Sequence, residues 1–446
     1  LITRFVLFDR RRTAPPNLHP EQHLIDIAEL EANDQETFAA LLDSTSARHQ
    51  WQLGPYRVSE SVARVDKARL RLQLLNRLRQ VIEERGGLWL RVSPYPFPFR
   101  SAFNLRLDHD AYVPSDFNTV LALLKGRENA ATHVVCAGTH QQYPEALARL
   151  RGHDVATHGF HHHSYSDPAE NLRNIERGLR LLQEFKLDPQ GYAAPHGTFS
   201  PHLCNALTSC GITHSSEFAL CYDDLPFFVP ERQLLQIPIH PICLGIFLEA
   251  AHRHPIPTLA SADVAAEAAA DHLCHFARVR YDAGLPIFVY GHPDGRLGRY
   301  PRVLRRLFKT IDEFASLWLT NFREINAWWR LRAQIRLTVA TDPLGLRIEA
   351  SGLPVDHRAA VEIRRGDHVA LVPITQPATA IAWPDLVFQP RSPVPAFTRF
   401  RLDSPHNLKG TMRRLLDWER DTPVDELDRS TWRGLTKWAL RRWEER

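Results

Sequence analysis

Between about residues 100 and 330, short apolar runs alternate with amphipathic stretches, and no other feature of the chain restricts its fold so tightly. Phe103 to Leu107, His133 to Cys136, Val155 to Ala156, Gly191 to Ala194, Leu234 to Ile239 and Ile287 to Tyr290 are too short for helices and read as buried strands. Helical patterns separate them. The clearest begins at Asp167, which can cap; Pro168 suits the first turn, Glu170 completes a capping box, and Leu172, Ile175, Leu179 and Leu182 share one face. Strand then helix, repeated, calls for a parallel sheet covered by helices. With six or seven such units, the expected class is α/β, a distorted (β/α) barrel of about seven strands, closed or nearly so.

The flanks differ in texture. Glu60 to Arg85 reads as a helix with Leu74, Leu78, Val81 and Ile82 on one face and Gly86-Gly87 as its stop. Pro94, Pro96 and Pro98 then alternate with Tyr95, Phe97 and Phe99, which enforces extended backbone and marks a boundary near residue 95. From Gln334 the apolar period becomes two: Ile335, Leu337 and Val339, then Leu346 and Ile348, Val361 and Ile363, Val369 and Leu371. The expected division is a mostly helical extension over 1–95, the barrel over 96–330, a small antiparallel β domain over 331–400 and a Trp- and Arg-rich helical tail over 401–446.

Composition excludes several classes. At 446 residues, 44% hydrophobic and 24% charged, the chain is neither disordered nor fibrous. Its 55 basic side chains are set against 51 acidic ones and spread along the chain, so no nucleic-acid partner is expected. The basic cluster of Arg413, Arg414, Lys437, Arg441 and Arg442 falls in a helical pattern and reads as a solvated helix face. Cysteines at 136, 204, 210, 221, 243 and 274 lack zinc-finger spacing and suit a reduced chain. No apolar run could span a bilayer, and the first 20 residues carry charges within their apolar stretch, so the default expectation is cytoplasmic.

The chemistry-bearing residues all fall at the C-terminal ends of expected strands, the face on which parallel barrels build sites. Arg106-Leu107-Asp108-His109-Asp110 runs an apolar strand into two carboxylates two residues apart, which would share a face. Such a pair is unfavourable without a cation or proton between its members, so one carboxylate can serve as metal ligand and the other as base. Five histidines stand between residues 153 and 163 of a chain with 23 in all. His158 and His162, four apart, would lie on one face of a helical turn and offer two ligands to one cation. With a carboxylate they make a 2-His-1-carboxylate set that leaves room for water and substrate. Gly191-Tyr192-Ala193-Ala194-Pro195-His196-Gly197 ends a strand in a Pro-x-Gly turn that can aim N–H groups at an oxyanion, and Ile287 to Tyr290 delivers His292 to a strand end as a general acid.

In this order these pieces resemble the polysaccharide deacetylase family, the group with the NodB-homology domain (carbohydrate esterase 4-like), over roughly residues 100 to 325. Asp108 and Asp110 match its first motif in the Asp-x-Asp form, His158 and His162 its HxxxH motif, Ala193 to Gly197 its Arg-Pro-Pro-x-Gly motif, and His292 the histidine of its last. The arginine of the third motif, which in the family orients the catalytic aspartate, is Ala193 here, with Arg106 as a candidate substitute. The family's aspartate-tryptophan motif has no clean counterpart; Glu217, or Asp223 and Asp224, are candidates for polarising the last histidine.

The resemblance implies a metal-dependent deacetylase acting on N- or O-acetyl groups of a carbohydrate. One divalent cation, Zn2+ with Co2+ or Ni2+ as alternatives, would be held by Asp110, His158 and His162. Asp108 would be the base, the backbone N–H of His196 an oxyanion donor and His292 the acid. Phe160, Tyr192, Pro195 and Phe199 lie near the motifs and are candidates for contact with a sugar ring, or for the core. Alternative readings are a hydrolase of small cyclic amides or ureides, since the Asp-x-Asp form occurs in such relatives, and a catalytically silent carbohydrate-binding protein.

Overall fold

The fold is known from a computed structural model, which describes residues 43–229, 233–354, 356–394 and 399–402, with 4–8, 22–26, 40–41, 412, 415–417, 427 and 429–444 besides. Its centre is a ring of parallel strands: β1 (Ser101–His109), β2 (Ala131–Val135), β3 (Asp154–Thr157), β4 (Gly191–Tyr192), β5 (His214–Ser215), β6 (Leu235–Gln236) and β7 (Ile287–Gly291). They pair in the order β6-β5-β4-β3-β2-β1-β7. Just past β6, the His240 N–H donates to the Phe288 carbonyl at 2.8 Å, so the chain joins β7 and nearly closes the barrel.

All six expected strands are present, and β1 is buried along its length, as a strand covered on both faces must be. His214-Ser215 completes the count of seven. Two polar residues carry no apolar signal, and tertiary pairing alone makes them a strand. Helix α1 (Pro114–Leu124) follows β1, and α2 (Pro168–Glu184) follows β3 with the expected start: the Asp167 carboxylate accepts from the N–H groups of Ala169 and Glu170.

The flanks depart from expectation. The helix expected from Glu60 begins at Lys67, where Asp66 caps it by accepting from the Arg69 N–H. Residues Tyr56–Ala63 instead form a strand paired with Ser46–Leu53 across a turn at Gly54, whose φ is +56°. The period there is two: Tyr56 and Val58 are buried and Arg57 is exposed. Among the described residues of the 1–95 segment, strands therefore stand beside the one long helix.

The expected boundaries also fail to separate self-contained units. Strand Trp89–Val92 pairs with Ala359–Arg365, and Arg399–Arg401 pairs with Ser46–Leu53, so segments before and after the barrel share sheets. The period-two strands after residue 334 are present but divided between two sheets. Of the tail, Trp432–Glu444 is helical, whereas Asn407, Arg413 and Arg414 lie outside the described residues. Among the described residues no helix is long and apolar enough to cross a membrane.

Candidate active site

Strand β1 carries Arg106 and Asp108 on one face and ends one residue before Asp110. β3 delivers His158, and β7 ends just before His292. All these strand ends open on one mouth.

The expected helical turn at His158 to His162 is not formed. The chain bends at Gly159, whose φ of +85° favours glycine, and residues 160–163 form an irregular loop. Asn174 of α2 fixes its shape. The Asn174 carbonyl accepts from the Phe160 N–H at 3.0 Å, its Oδ1 accepts from the His161 N–H at 2.7 Å, and its Nδ2 donates to the carbonyls of His161 and His163 at 3.1 Å. One turn on, a Cβ at Gly178 would lie 2.8 Å from the Gly159 carbonyl carbon, so only glycine lets α2 approach so closely. From the tail, Asp417 accepts from the N–H groups of Ser166 and Asp167 and from His163 Nε2. Lys437 is buried beside Glu170 and Tyr165, not on a solvated face as its helical pattern suggested.

These supports bring the histidines onto Asp110. His158 Nε2 lies 3.3 Å and His162 Nε2 3.2 Å from the same oxygen, Asp110 Oδ1. Donors bound tetrahedrally at about 2.0 Å from one ion stand roughly 3.3 Å apart, so this trio fits a divalent cation. His158 Nδ1 donates to the Ala193 carbonyl at 2.5 Å, which fixes the tautomer and turns the Nε2 lone pair toward Asp110. Burial opposes ionisation of Asp110, but the imidazoles of His158, His162 and His292 outweigh it and hold the carboxyl well below its usual range.

Asp108 sits beside this cluster, buried, with Oδ2 accepting from Arg106 at 2.7 Å. The Arg106 guanidinium is fully enclosed; it also donates to the Ser216 carbonyl at 2.7 Å and lies over the Tyr290 ring. On the far side, His292 Nε2 stands 3.1 Å from Asp110 Oδ2. Its Nδ1 accepts from Arg296 at 2.6 Å, since a guanidinium can only donate. Arg296 returns toward His292 because the turn after β7 bends at Gly295, φ +63°, and Gly245 has no Cβ to occupy the guanidinium's place. Burial disfavours the His292 imidazolium, but Asp110 and the Cys243 thiol beside it push its pKa up. His196 adopts φ +56°, its ring stands edge-on to His162, and burial lowers its pKa to about 4.

Other candidates lie elsewhere. Glu217 does not reach His292: it is buried near Arg106 and Ser215, where burial raises its pKa to about 7. Asp223 pairs with His240 and Asp224 with Arg71, so neither polarises the last histidine. Phe160 and Tyr192 are core residues and Pro195 is buried, so these three do not offer an open stacking face, whereas Phe199 packs on the same core as Tyr192 and is only partly buried. Arg296, Asn174, Cys243 and Asp417 were missed. Only Asn174 left a signal, as a buried polar residue on the apolar face of α2. Glu60 was missed too: the N-terminal hairpin brings it near His292, and burial raises its pKa to about 7.

Residues 105–215 match the family model described as polysaccharide deacetylase, about a quarter of the chain. Over that segment the chain is similar to the polysaccharide deacetylase family, the one its motifs resemble. The chain is similar to the solved structures of a probable polysaccharide deacetylase from Pseudomonas aeruginosa PAO1 (17% identity, 54% of this chain and 94% of that one, TM-score 0.45) and of PuuE allantoinase (16%, 54% and 93%, 0.43). It is also similar to the peptidoglycan deacetylase PdaC from Bacillus subtilis (17%, 54% and 95%, 0.34). No curated protein matches the chain in sequence.

Proposed function

We propose that this protein is a metal-dependent deacetylase that removes an N- or O-acetyl group from a carbohydrate. The observation that carries the reading is the convergence of two imidazole Nε2 atoms on one carboxylate oxygen, beside a second carboxylate held by a guanidinium. A divalent cation held by Asp110, His158 and His162, Zn2+ first with Co2+ or Ni2+ as alternatives, would polarise the acetyl carbonyl and acidify a water. Asp108 takes the proton of the attacking water. Its Oδ2 is engaged by Arg106, and Oδ1, without a hydrogen-bond partner among the described residues, is the oxygen left for that task. The His196 N–H, set by the left-handed turn, faces the developing oxyanion. His292, whose pKa Asp110 and Cys243 push up, gives a proton from Nε2 to the leaving amine or alcohol as an imidazolium and is left as the neutral ring.

A hydrolase of a small cyclic amide or ureide would use the same groups, and the Asp-x-Asp form favours keeping that second reading. Metal analysis with acetate-release assays over acetylated glycans, run beside ring-opening of cyclic amides, separates the two. Asp108→Asn is expected to keep the metal and lose about 10²–10⁴-fold in turnover; His158→Ala is expected to lose both. Wild-type deacetylation by either variant would refute these roles.

A further inference from the structure

Away from the mouth, at the opposite end of β7 from His292, lies a cavity of about 180 Å³. It is bounded by the strand Ser46–Leu53, the helix Lys67–Glu84, residues 283–285 before β7, and the sheet face that carries Arg91 and Arg364. Its walls are largely apolar, with Trp51, Leu72, Leu75, Phe276 and Leu285.

Its charge is unbalanced. Arg91 stands directly across the strand pair from Glu362, and Arg364, two residues on, shares that face. Both oxygens of Glu362 are engaged: Oε2 accepts from Arg91 at 2.7 Å and Oε1 from Arg391 at 3.1 Å. The other nearby carboxylates are committed as well, Asp224 to Arg71, Asp223 to His240 and Asp66 to the helix N-terminus. Arg364 is left with no ion pair among the described residues, and its Nε is buried without a hydrogen-bond partner. Burial, with Arg91 and Arg391, lowers its pKa to about 10 against the opposing pull of Glu362. Among the described residues this half-buried guanidinium shares its one neighbouring carboxylate, Glu362, with Arg91 and Arg391, so beside the apolar chamber the cations outnumber the anion.

We propose that this cavity binds an organic acid with an apolar body, its acidic head on Arg364 and its body against Trp51, Leu72, Leu75 and Phe276. The site is built by the flanks, outside the segment that matches the deacetylase family, and does not depend on the proposed catalytic reading.

Titration calorimetry on the full chain with octanoate tests it, with octanol and inorganic phosphate as separate probes. Octanoate is expected to bind, the alcohol and the phosphate each at least tenfold more weakly. Arg364→Leu should weaken octanoate about tenfold or more, as loss of a charge-assisted hydrogen bond does. Removing an unpaired cation should leave the fold intact; Arg364→Gln serves if leucine does not. Arg365→Leu, at the exposed neighbouring position, and His158→Ala should bind octanoate as wild type does. Equal binding of octanol or phosphate, unchanged octanoate binding in Arg364→Leu and Arg364→Gln, or its loss in His158→Ala would each overturn the proposal.

Discussion

Replacing Arg106 by methionine tests how Asp108, the proposed base, is held. The two side chains of the Arg106–Asp108 pair are 1% and 4% exposed and meet at 2.7 Å, so solvent screening is slight. Breaking such a pair from one side costs roughly 3–5 kcal/mol, because a buried charge is left uncompensated. The single variant also loses the hydrogen bond to the Ser216 carbonyl and the stacking on Tyr290, which would complicate its reading alone. A double-mutant cycle with Asp108→Asn cancels those losses, since they occur on both legs. On the Arg106→Met background, Asp108→Asn neutralises the stranded charge and should recover about 2 kcal/mol or more of unfolding free energy, whereas on the wild-type background it should cost stability. Turnover should fall alike in both single variants and little further in the double. Urea unfolding of the four proteins measures the coupling. Additivity within about 0.5 kcal/mol would mean that Arg106 does not hold Asp108.

Asn174→Ala removes the three side-chain hydrogen bonds that shape the histidine loop, touching no ligand; metal affinity should fall about 10–100-fold with the circular dichroism spectrum unchanged, and an unaltered affinity would show that the loop holds itself. Glu217 has a folded pKa raised from 4.5 to about 7 by burial, so it stabilises the fold below pH 4.5 and that contribution is lost as pH rises through 7. At about 1.4 kcal/mol per unit the loss approaches roughly 3 kcal/mol, and Glu217→Gln should be the more stable protein at pH 8 by an amount that shrinks toward pH 5. Parallel unfolding curves for the two proteins across that range would remove Glu217 as the source.

The barrel was legible because its strands are buried on both faces and so appear as unbroken apolar runs, Ile287 to Tyr290 most clearly. β5 was not, since its two polar residues become a strand only by pairing with β4 and β6. In the flank, the apolar positions of Tyr56–Ala63 merged with those of the helix after Asp66 into one seemingly helical pattern, and nothing local announces that Trp89–Val92 joins a partner some 270 residues later. The meeting of Asp110, His158 and His162 was legible from spacing, but the reason offered for the spacing was not the one realised. His158 and His162 meet Asp110 from a bent loop clamped by Asn174, and the clamp is long-range. Tyr192, beside Ala193 on a strand, packs into the core because neighbours on extended backbone point to opposite sides, and Phe160 does so because the chain bends at Gly159.

The two departures from the family's motifs have related physical consequences. At the third motif the arginine is absent, but the carbonyl of Ala193 still orients His158. The guanidinium comes instead from Arg106, two residues before Asp108 on the same strand and therefore on the same face, with the Ser216 carbonyl past β5 fixing its other end. At the last motif, an aspartate engaging the histidine would require a proton on Nδ1, whereas Arg296 can only donate and so leaves Nδ1 as acceptor and the proton on Nε2, the nitrogen that faces Asp110. A carboxylate partner also favours the imidazolium, and a guanidinium opposes it. Arg296 thus turns the His292 proton toward the mouth, and the carboxylate that pushes the pKa of this ring up is Asp110, on Nε2, not a partner on Nδ1. Behind Asp108 the buried Arg106 is neutralised by that carboxylate, and behind His292 the part-buried Arg296 fits because Gly245 has no Cβ to fill its place.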